Sequence, residues 1–300
     1  MFNPAAGRGR ARRDPQAVSD AMTARGLDHE IVLTERAGHA AQIVRERGAD
    51  FDTVLVVGGD GTLHETIQAL DLHRHRLAVI PWGSGNDFAW MTGWPRDLDA
   101  CLDRVRAARE RRVDLGEVTA TFAGGRTVSC RFHNNVGFGF EALVNAASGG
   151  RHAIKGPLLY LVAFLKTLPR FRSYSVRVRS ADTNPAGGAG TAFDGTVSML
   201  ATLNGRRVGG TFPLAPPATL DDGSLDLVSV DAMGLVRVLW LLPRTFRGSH
   251  LRSRRVHASC FATARIEAPE GIPIYVDGEF LGADARVAAL RCLPGALRAL

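Results

Sequence analysis

Three short stretches of the 300-residue chain carry residues suited to holding phosphate. The first is Gly58-Gly59-Asp60-Gly61-Thr62, between the apolar run Thr53 to Val57 and a helical pattern that runs on to Leu70. Its glycines let the backbone turn sharply and come close to a ligand. The helix that follows presents free N–H groups and the positive end of its dipole. Asp60 is out of place beside bare phosphate, and suits a magnesium ion or its water shell between the two. A tight strand-to-helix turn with Asp60 as N-cap would use the same residues.

The second stretch, Asn3-Pro4-Ala5-Ala6-Gly7-Arg8-Gly9, brings Arg8 and Arg10 within reach of phosphate oxygens. The third, Pro81-Trp82-Gly83-Ser84-Gly85-Asn86-Asp87, follows the apolar run Leu77 to Pro81 as the first follows its own strand. A further acidic pair stands far along the chain, in Val276-Asp277-Gly278-Glu279. "Asp-Gly" between apolar segments is a strong hairpin signal, and a carboxylate there also suits a proton acceptor.

These stretches need elements to position them. Up to Arg109 the chain alternates helix and strand patterns: helices at 17–25, 37–46, 62–70 and 98–109, strands at 29–34, 53–57 and 77–81. That alternation implies βαβ units in a mostly parallel, doubly covered sheet, whose post-strand loops converge on one edge and bind ligands there. A loop such as Asn3 to Gly9 would normally follow a buried strand. Only Met1 and Phe2 precede it, so a start several residues late is expected.

From Val113 onward, short period-2 segments dominate: 116–122, 126–134, 174–179, 195–204, 224–230 and 254–268. They predict an antiparallel sandwich or barrel with one or two inserted helices. The expected organisation is a nucleotide-binding α/β domain over 1–113, with 294–300 returning to it, and an all-β domain over 114–293. A single chain of this length with 45% hydrophobic residues can bury two such cores.

Composition narrows the chemistry. The net charge of +7 comes from arginine, since Lys155 and Lys166 are the only lysines, and favours anionic partners. The chain lacks the interleaved aromatic and basic residues of a nucleic-acid groove, so no nucleic-acid partner is expected. Cys101, Cys130, Cys260 and Cys292 form no CxxC pair, which points to reduced thiols in the cytoplasm. No apolar run reaches membrane-spanning length. Two apolar segments with basic exits, Leu158 to Leu168 before Arg170 and Arg172, and Leu235 to Leu242 before Arg244, Arg247, Arg252, Arg254 and Arg255, are read as core helices or as rests on an anionic bilayer. Trp82, Trp90 and Trp94 near the third loop are assigned to packing rather than to adenine stacking, and the histidines receive no role. GxxxxGK[ST] and the protein-kinase HRD and DFG signatures are absent.

The motifs together resemble the diacylglycerol kinase catalytic family, which includes sphingosine kinases and bacterial lipid kinases. The resemblance rests on NPAAGRGRA at Asn3, GGDGTLHE at Gly58, PWGSGNDFA at Pro81, VDLG at Val113, NNVGFGFEA at Asn134, LDDGSLDLV at Leu220 and VDGE at Val276. It implies an NAD kinase/phosphofructokinase-like α/β domain plus a β-sandwich, and an ATP-dependent, magnesium-dependent kinase of a lipid hydroxyl, most simply diacylglycerol. Asn3, Pro4, Ala5, Ala6, Gly7, Arg8, Thr34, Gly58, Gly59, Asp60, Gly61, Thr62, Leu63, His64 and Ser84 would line the ATP site. Asp60 would organise the triphosphate and its magnesium. Asp87 and Asp114 would form a polar network near the domain boundary. Asp277 would be the general base, with Glu279 close by. Asp222 would ligate a second, structural magnesium with the carbonyls of Thr219 and Ser224. His64 stands where family members often carry asparagine. The two apolar segments with basic exits, taken as a pair, point to peripheral contact with an anionic membrane at its inner face, and a homodimer is compatible with an edge strand. The alternatives are a kinase of a soluble acceptor such as NAD, and a non-catalytic lipid- or nucleotide-binding regulator.

Overall fold

The computed structural model describes residues 1–9, 14–148, 166–180 and 192–300. They divide into two units, Met1–Asp114 with Gly295–Leu300, and Leu115–Pro294.

The first unit is built on parallel strands. β1 (Thr53–Gly58) and β2 (Arg76–Pro81) pair in register from Thr53↔Arg76 to Gly58↔Pro81. Phe2 bridges β1 at Val57 on one side and Leu33 on the other, and the amides of Phe2, Asn3 and Thr34 complete the ladder. Met1 to Asn3 therefore occupy the strand position expected before the first loop. The expected strand over 29–34 reduces to the bridge at Leu33, because so short a neighbour offers few backbone partners. At the other edge Arg298 and Ala299 pair in parallel with Arg76 and Leu77. β1 and β2 are apolar on both faces because helices cover both. These helices are α1 (Pro15–Thr23), α2 (His39–Arg47), α3 (Asp60–Ala69), α4 (Asp87–Met91) and α5 (Leu98–Ala107). Val56, Leu77 and Ile80 are fully enclosed among them.

The second unit is antiparallel. β3 (Arg111–Phe122) enters it and pairs with β4 (Thr127–Phe132). β5 (Asn135–Gly139) leads into α6 (Phe140–Ser148), then come β6 (Tyr174–Arg179), β7 (Ala192–Leu203) and β8 (Leu225–Asp231). After α7 (Leu235–Thr245) follow β9 (Val256–Phe261), β10 (Thr263–Val276) and β11 (Glu279–Ala299). The segment expected as one strand over 254–268 is divided at Ala262, and its second part continues to Val276. The central order is β11-β10-β5-β7-β8-β9, with β6 bridging β10 and β7. β10 pairs with β6 through Arg265 to Glu267 and with β5 through Ile274 to Val276, so the end of β10 is fixed against β5. The core runs through Phe132, Val136, Phe138, Leu200, Ile274 and Val276.

β5 was not anticipated, since Asn135, Gly137 and Gly139 disfavour strands. Its reason lies on β10: a Cβ at Gly137 would run into the ring of Tyr275, its paired residue. The apolar segment from Leu158 falls outside the described residues up to position 165, and Leu168 opens a 3₁₀ turn to Arg170. No helix among the described residues is long and apolar enough to cross a membrane.

Candidate active site

In the first unit, four backbone ends meet at the carboxyl edge of the parallel sheet. Asn3 holds them together: its side-chain amide donates to Thr62 Oγ1 at 2.7 Å, and its Oδ1 accepts from the Ala5 amide at 2.9 Å. Gly7, with φ of 64°, approaches the third loop so closely that a Cβ would lie 2.7 Å from the Trp82 carbonyl oxygen. A Cβ at Gly59 would lie 2.7 Å from the Gly83 Cα, so the first and third glycine loops touch backbone to backbone. Thr34 is buried beside them, its amide donating to the Phe2 carbonyl.

The third loop is folded by Asn86, which stands in the left-handed region at φ 52°. Its Oδ1 accepts from the Gly83 amide at 2.8 Å, and its amide donates to the carbonyls of Gly83 and Pro81. Ser84 is exposed at the tip. Asp60, the first residue of α3, accepts from the Phe88 amide of α4 at 3.4 Å. Gly61 is exposed with open space around it, while Thr62, Leu63 and His64 are buried. The start of α3 therefore adjoins the touching glycine loops, and a helix start of this kind can seat an anion. Pro4, Ala5 and Ala6 follow Asn3, and Arg8 lies in the 3₁₀ turn Ala6–Gly9. Arg10 lies outside the described residues.

Asp87 and Asp114 are both buried, and Asp114 accepts from the Gly295 amide at 2.6 Å. Trp94 is a core residue covered by Arg104, 4.4 Å from its ring centre.

In the second unit, Asp277 and Gly278 form the two-residue turn from β10 to β11, at φ 47° and 98°. Two successive positive φ values are what a tight hairpin of this hand requires. The turn directs the Asp277 carboxylate inward, and its side chain is completely buried. One oxygen accepts from the amides of Asn134 and Asn135, at 3.0 and 2.9 Å. The other accepts from the His133 amide at 2.9 Å and lies 3.6 Å from His133 Nε2. Glu279, paired with Val276 across the turn, is exposed. The carboxylate expected to receive a proton is thus enclosed by three donors, and its neighbour faces solvent.

Behind the turn lies a buried chain that sequence reasoning did not single out. The Asn135 side chain donates to Tyr275 Oη at 2.5 Å, and that hydroxyl donates to Glu141 Oε1 at 2.5 Å. Burial pushes the Glu141 carboxyl up to about 7, against the opposing hydrogen bond from Tyr275. The available signal was polar residues at the ends of the apolar run Asn134 to Ala142.

Asp222 is exposed in the turn before β8 and accepts from the Ser224 amide at 3.0 Å. Asp226 on β8, which sequence reasoning also passed over, is pushed up to about 7 by burial and then by the nearby Asp222. Asp222 and Asp226 thus bring two carboxylates near one another at this turn, and no group of three or more His, Cys, Asp or Glu among the described residues is placed to hold a metal ion.

The parallel α/β unit with phosphate-seating loops, followed by an antiparallel sandwich, defines the NAD-kinase-like class of kinase folds. A yeast NADH kinase crystallised with NADH shares this fold with a TM-score of 0.51 at 10% identity, over 95% of this chain and 71% of that one. A diacylglycerol kinase structure from Bacillus anthracis matches with a TM-score of 0.70 at 20% identity, over 99% and 94% of the two chains. The profile of the diacylglycerol kinase catalytic domain matches residues 1–118, and that of the YegS C-terminal NAD kinase beta sandwich-like domain matches 134–300. The chain belongs to this YegS-like, diacylglycerol kinase-type lipid kinase family. Among its relatives are the diacylglycerol kinases of Mycobacterium tuberculosis, 28% identical over 100% of this chain and 93% of that protein, and of Bacillus subtilis, 26% identical over 94% and 89%.

Proposed function

We propose that the chain transfers the γ-phosphate of ATP to the hydroxyl of a lipid, diacylglycerol or a close relative, with Glu279 as the proton acceptor. The observation that carries this reading is the locking of the glycine loops at Gly59 and Gly83 around the start of α3. The second unit supplies the lipid side of the reaction. ATP as donor puts the reaction at the inner face of a membrane.

Phosphoryl transfer depends mainly on positioning and charge neutralisation. The amides at the start of α3 and the loop of Asn3 to Gly7 bind the phosphates, with Thr34, Ser84 and Arg8 alongside. Asp60 would hold the magnesium of the nucleotide, and Asp222 with the carbonyls of Thr219 and Ser224 would hold a second ion. When bound, the metal supplies positive charge to the phosphate oxygens. Glu279 orients the lipid O–H and takes its proton as the new O–P bond forms. The bond from the γ-phosphorus to the bridging oxygen breaks, and ADP leaves with that electron pair. Asp277 is assigned to holding the turn, because its oxygens already accept three backbone N–H groups. This reverses the expected order of the two acids. Asp114 serves structure by anchoring Gly295, and Asp87 shares the buried polar surroundings of the nucleotide loops.

The test is transfer of labelled γ-phosphate from ATP–Mg²⁺ to a total lipid extract in mixed micelles, with NAD as an aqueous acceptor in parallel. Label in the organic phase that disappears in Glu279→Gln supports the proposal. Label only in NADP would assign the chain to a soluble acceptor.

A further inference from the structure

α7 buries one side, and among the described residues its other side is largely exposed. Val238 and Leu241 pack onto the cluster formed by Ala201, Leu214 and Val228. Val236 and Trp240, at 70% and 72% exposed, project the opposite way with Leu239, and Phe246 follows at the helix end, half-exposed with its ring against Phe212. Four of the seven large exposed apolar side chains in the described residues fall in this one stretch of the chain. Such a concentration marks an interaction surface.

The charge around it is of a single sign. Between Asp231 and Glu267 the sequence contains no acidic residue, while Arg237, Arg244, Arg247, Arg252, Arg254 and Arg255 all fall within that span. No ion pair in the described residues engages the guanidinium of any of these six. Arg237, Arg244 and Arg255 converge with Ser253 and Trp240 on a cavity of about 170 Å³ beside the helix. Three guanidinium groups and a hydroxyl suit a phosphate, and the apolar residues at its mouth suit the acyl chains that a lipid phosphate carries.

We propose that α7 is the membrane-docking element of the chain: Val236, Leu239, Trp240 and Phe246 enter the headgroup boundary of an anionic bilayer, and Arg237, Arg244 and Arg255 bind a lipid phosphate. This deepens the lipid-kinase reading and rests on it only for its biological purpose. A nucleotide or free phosphate would use the cavity and leave the apolar face unexplained. A second copy of the chain, docked face to face, would set these arginines against one another, since a two-fold contact repeats the same patch on both sides.

The experiment is vesicle flotation of the full chain. Phosphatidylcholine vesicles are compared with vesicles containing about a third phosphatidylglycerol, and inorganic phosphate is added as a competitor at fixed ionic strength. The unaltered chain is expected to float with the anionic vesicles, to remain behind with the neutral ones, and to be undisturbed by phosphate. Arg237→Ala/Arg244→Ala/Arg255→Ala should lower partitioning roughly a hundredfold, at about 1 kcal/mol per basic residue near the surface. Val236→Ser/Trp240→Ser should lower it at least tenfold, with the circular dichroism spectrum unchanged. Wild-type flotation by both variants overturns the proposal. So does displacement by phosphate, or a wild-type dimer that the serine variant splits. Micellar lipid phosphorylation is measured alongside. A chain that phosphorylates lipid without floating refutes the docking role alone, and one that floats without phosphorylating any lipid refutes the kinase reading alone.

Discussion

Asp277→Asn and Glu279→Gln should separate stability from catalysis, though the two residues flank a single glycine. Asparagine tolerates the left-handed conformation of residue 277, so the hairpin itself is not strained by the change. The carboxylate accepts three backbone amides, and the asparagine carbonyl oxygen can keep two of them. The third amide then faces an N–H₂ group, donor against donor, in a site without water access. A hydrogen bond to a charged group contributes about 1.5–3 kcal/mol, and an orphaned buried donor costs about 1–3 kcal/mol. Loss of one bond and weakening of two adds up to about 3 kcal/mol or more. In urea unfolding that lowers the midpoint by about 1 M, for a slope near 3 kcal/mol/M. Glu279→Gln is exposed and should move the midpoint by less than about 0.5 kcal/mol equivalent, while kcat falls about 10²–10⁴-fold. Both variants are assayed by γ-phosphate transfer to micellar lipid at a temperature where each is folded. If Asp277→Asn keeps the wild-type midpoint but loses activity, and Glu279→Gln keeps kcat within a few fold, the assignment of roles argued from burial is wrong.

Glu141 predicts a pH dependence of stability. Its carboxyl is raised to about 7 by burial, so the folded chain retains a proton that the unfolded chain releases. This contribution is complete below the ordinary carboxylate value, declines as pH rises, and is lost above about 7. Glu141→Gln should flatten urea midpoints across that window and, at pH 8, raise stability by an amount on the order of 3 kcal/mol. Gly59→Ala forces a methyl against the Gly83 backbone and should weaken binding of a non-hydrolysable ATP analogue at least tenfold in calorimetry. Gly137→Ala drives its methyl into the Tyr275 ring, and overpacking of about 1–3 kcal/mol should lower the melting temperature by several degrees.

The parts legible in the sequence were those set by local pattern. The apolar runs at 53–57 and 77–81 announce β1 and β2 because both faces of a parallel sheet are covered. Tyr174–Arg179 alternates cleanly and forms the strand expected of it. The glycine loops were legible too, since a strand, a glycine pair and a helix start follow one another directly. What escaped depends on residues distant in sequence. β5 looks unlike a strand until Tyr275 is placed over Gly137. Asp277 reads by itself as a turn former and, beside the other motifs, as a base, and only the amides of His133 to Asn135 show which way its carboxylate points. Glu141 carries no local sign of its link to Tyr275.

The return of β11 to the first unit has a consequence for synthesis. Arg298 donates to the Arg74 carbonyl from 224 positions further along the chain, and Ala299 pairs with Leu77. While a ribosome builds the second unit, the first has already emerged with one side of β2 lacking its neighbour. Unpaired strand edges recruit other strands, so for that interval the nascent chain is open to mispairing and suited to chaperone binding. Contacts this distant in sequence also form slowly. The nucleotide-type unit, though encoded first, is therefore completed last.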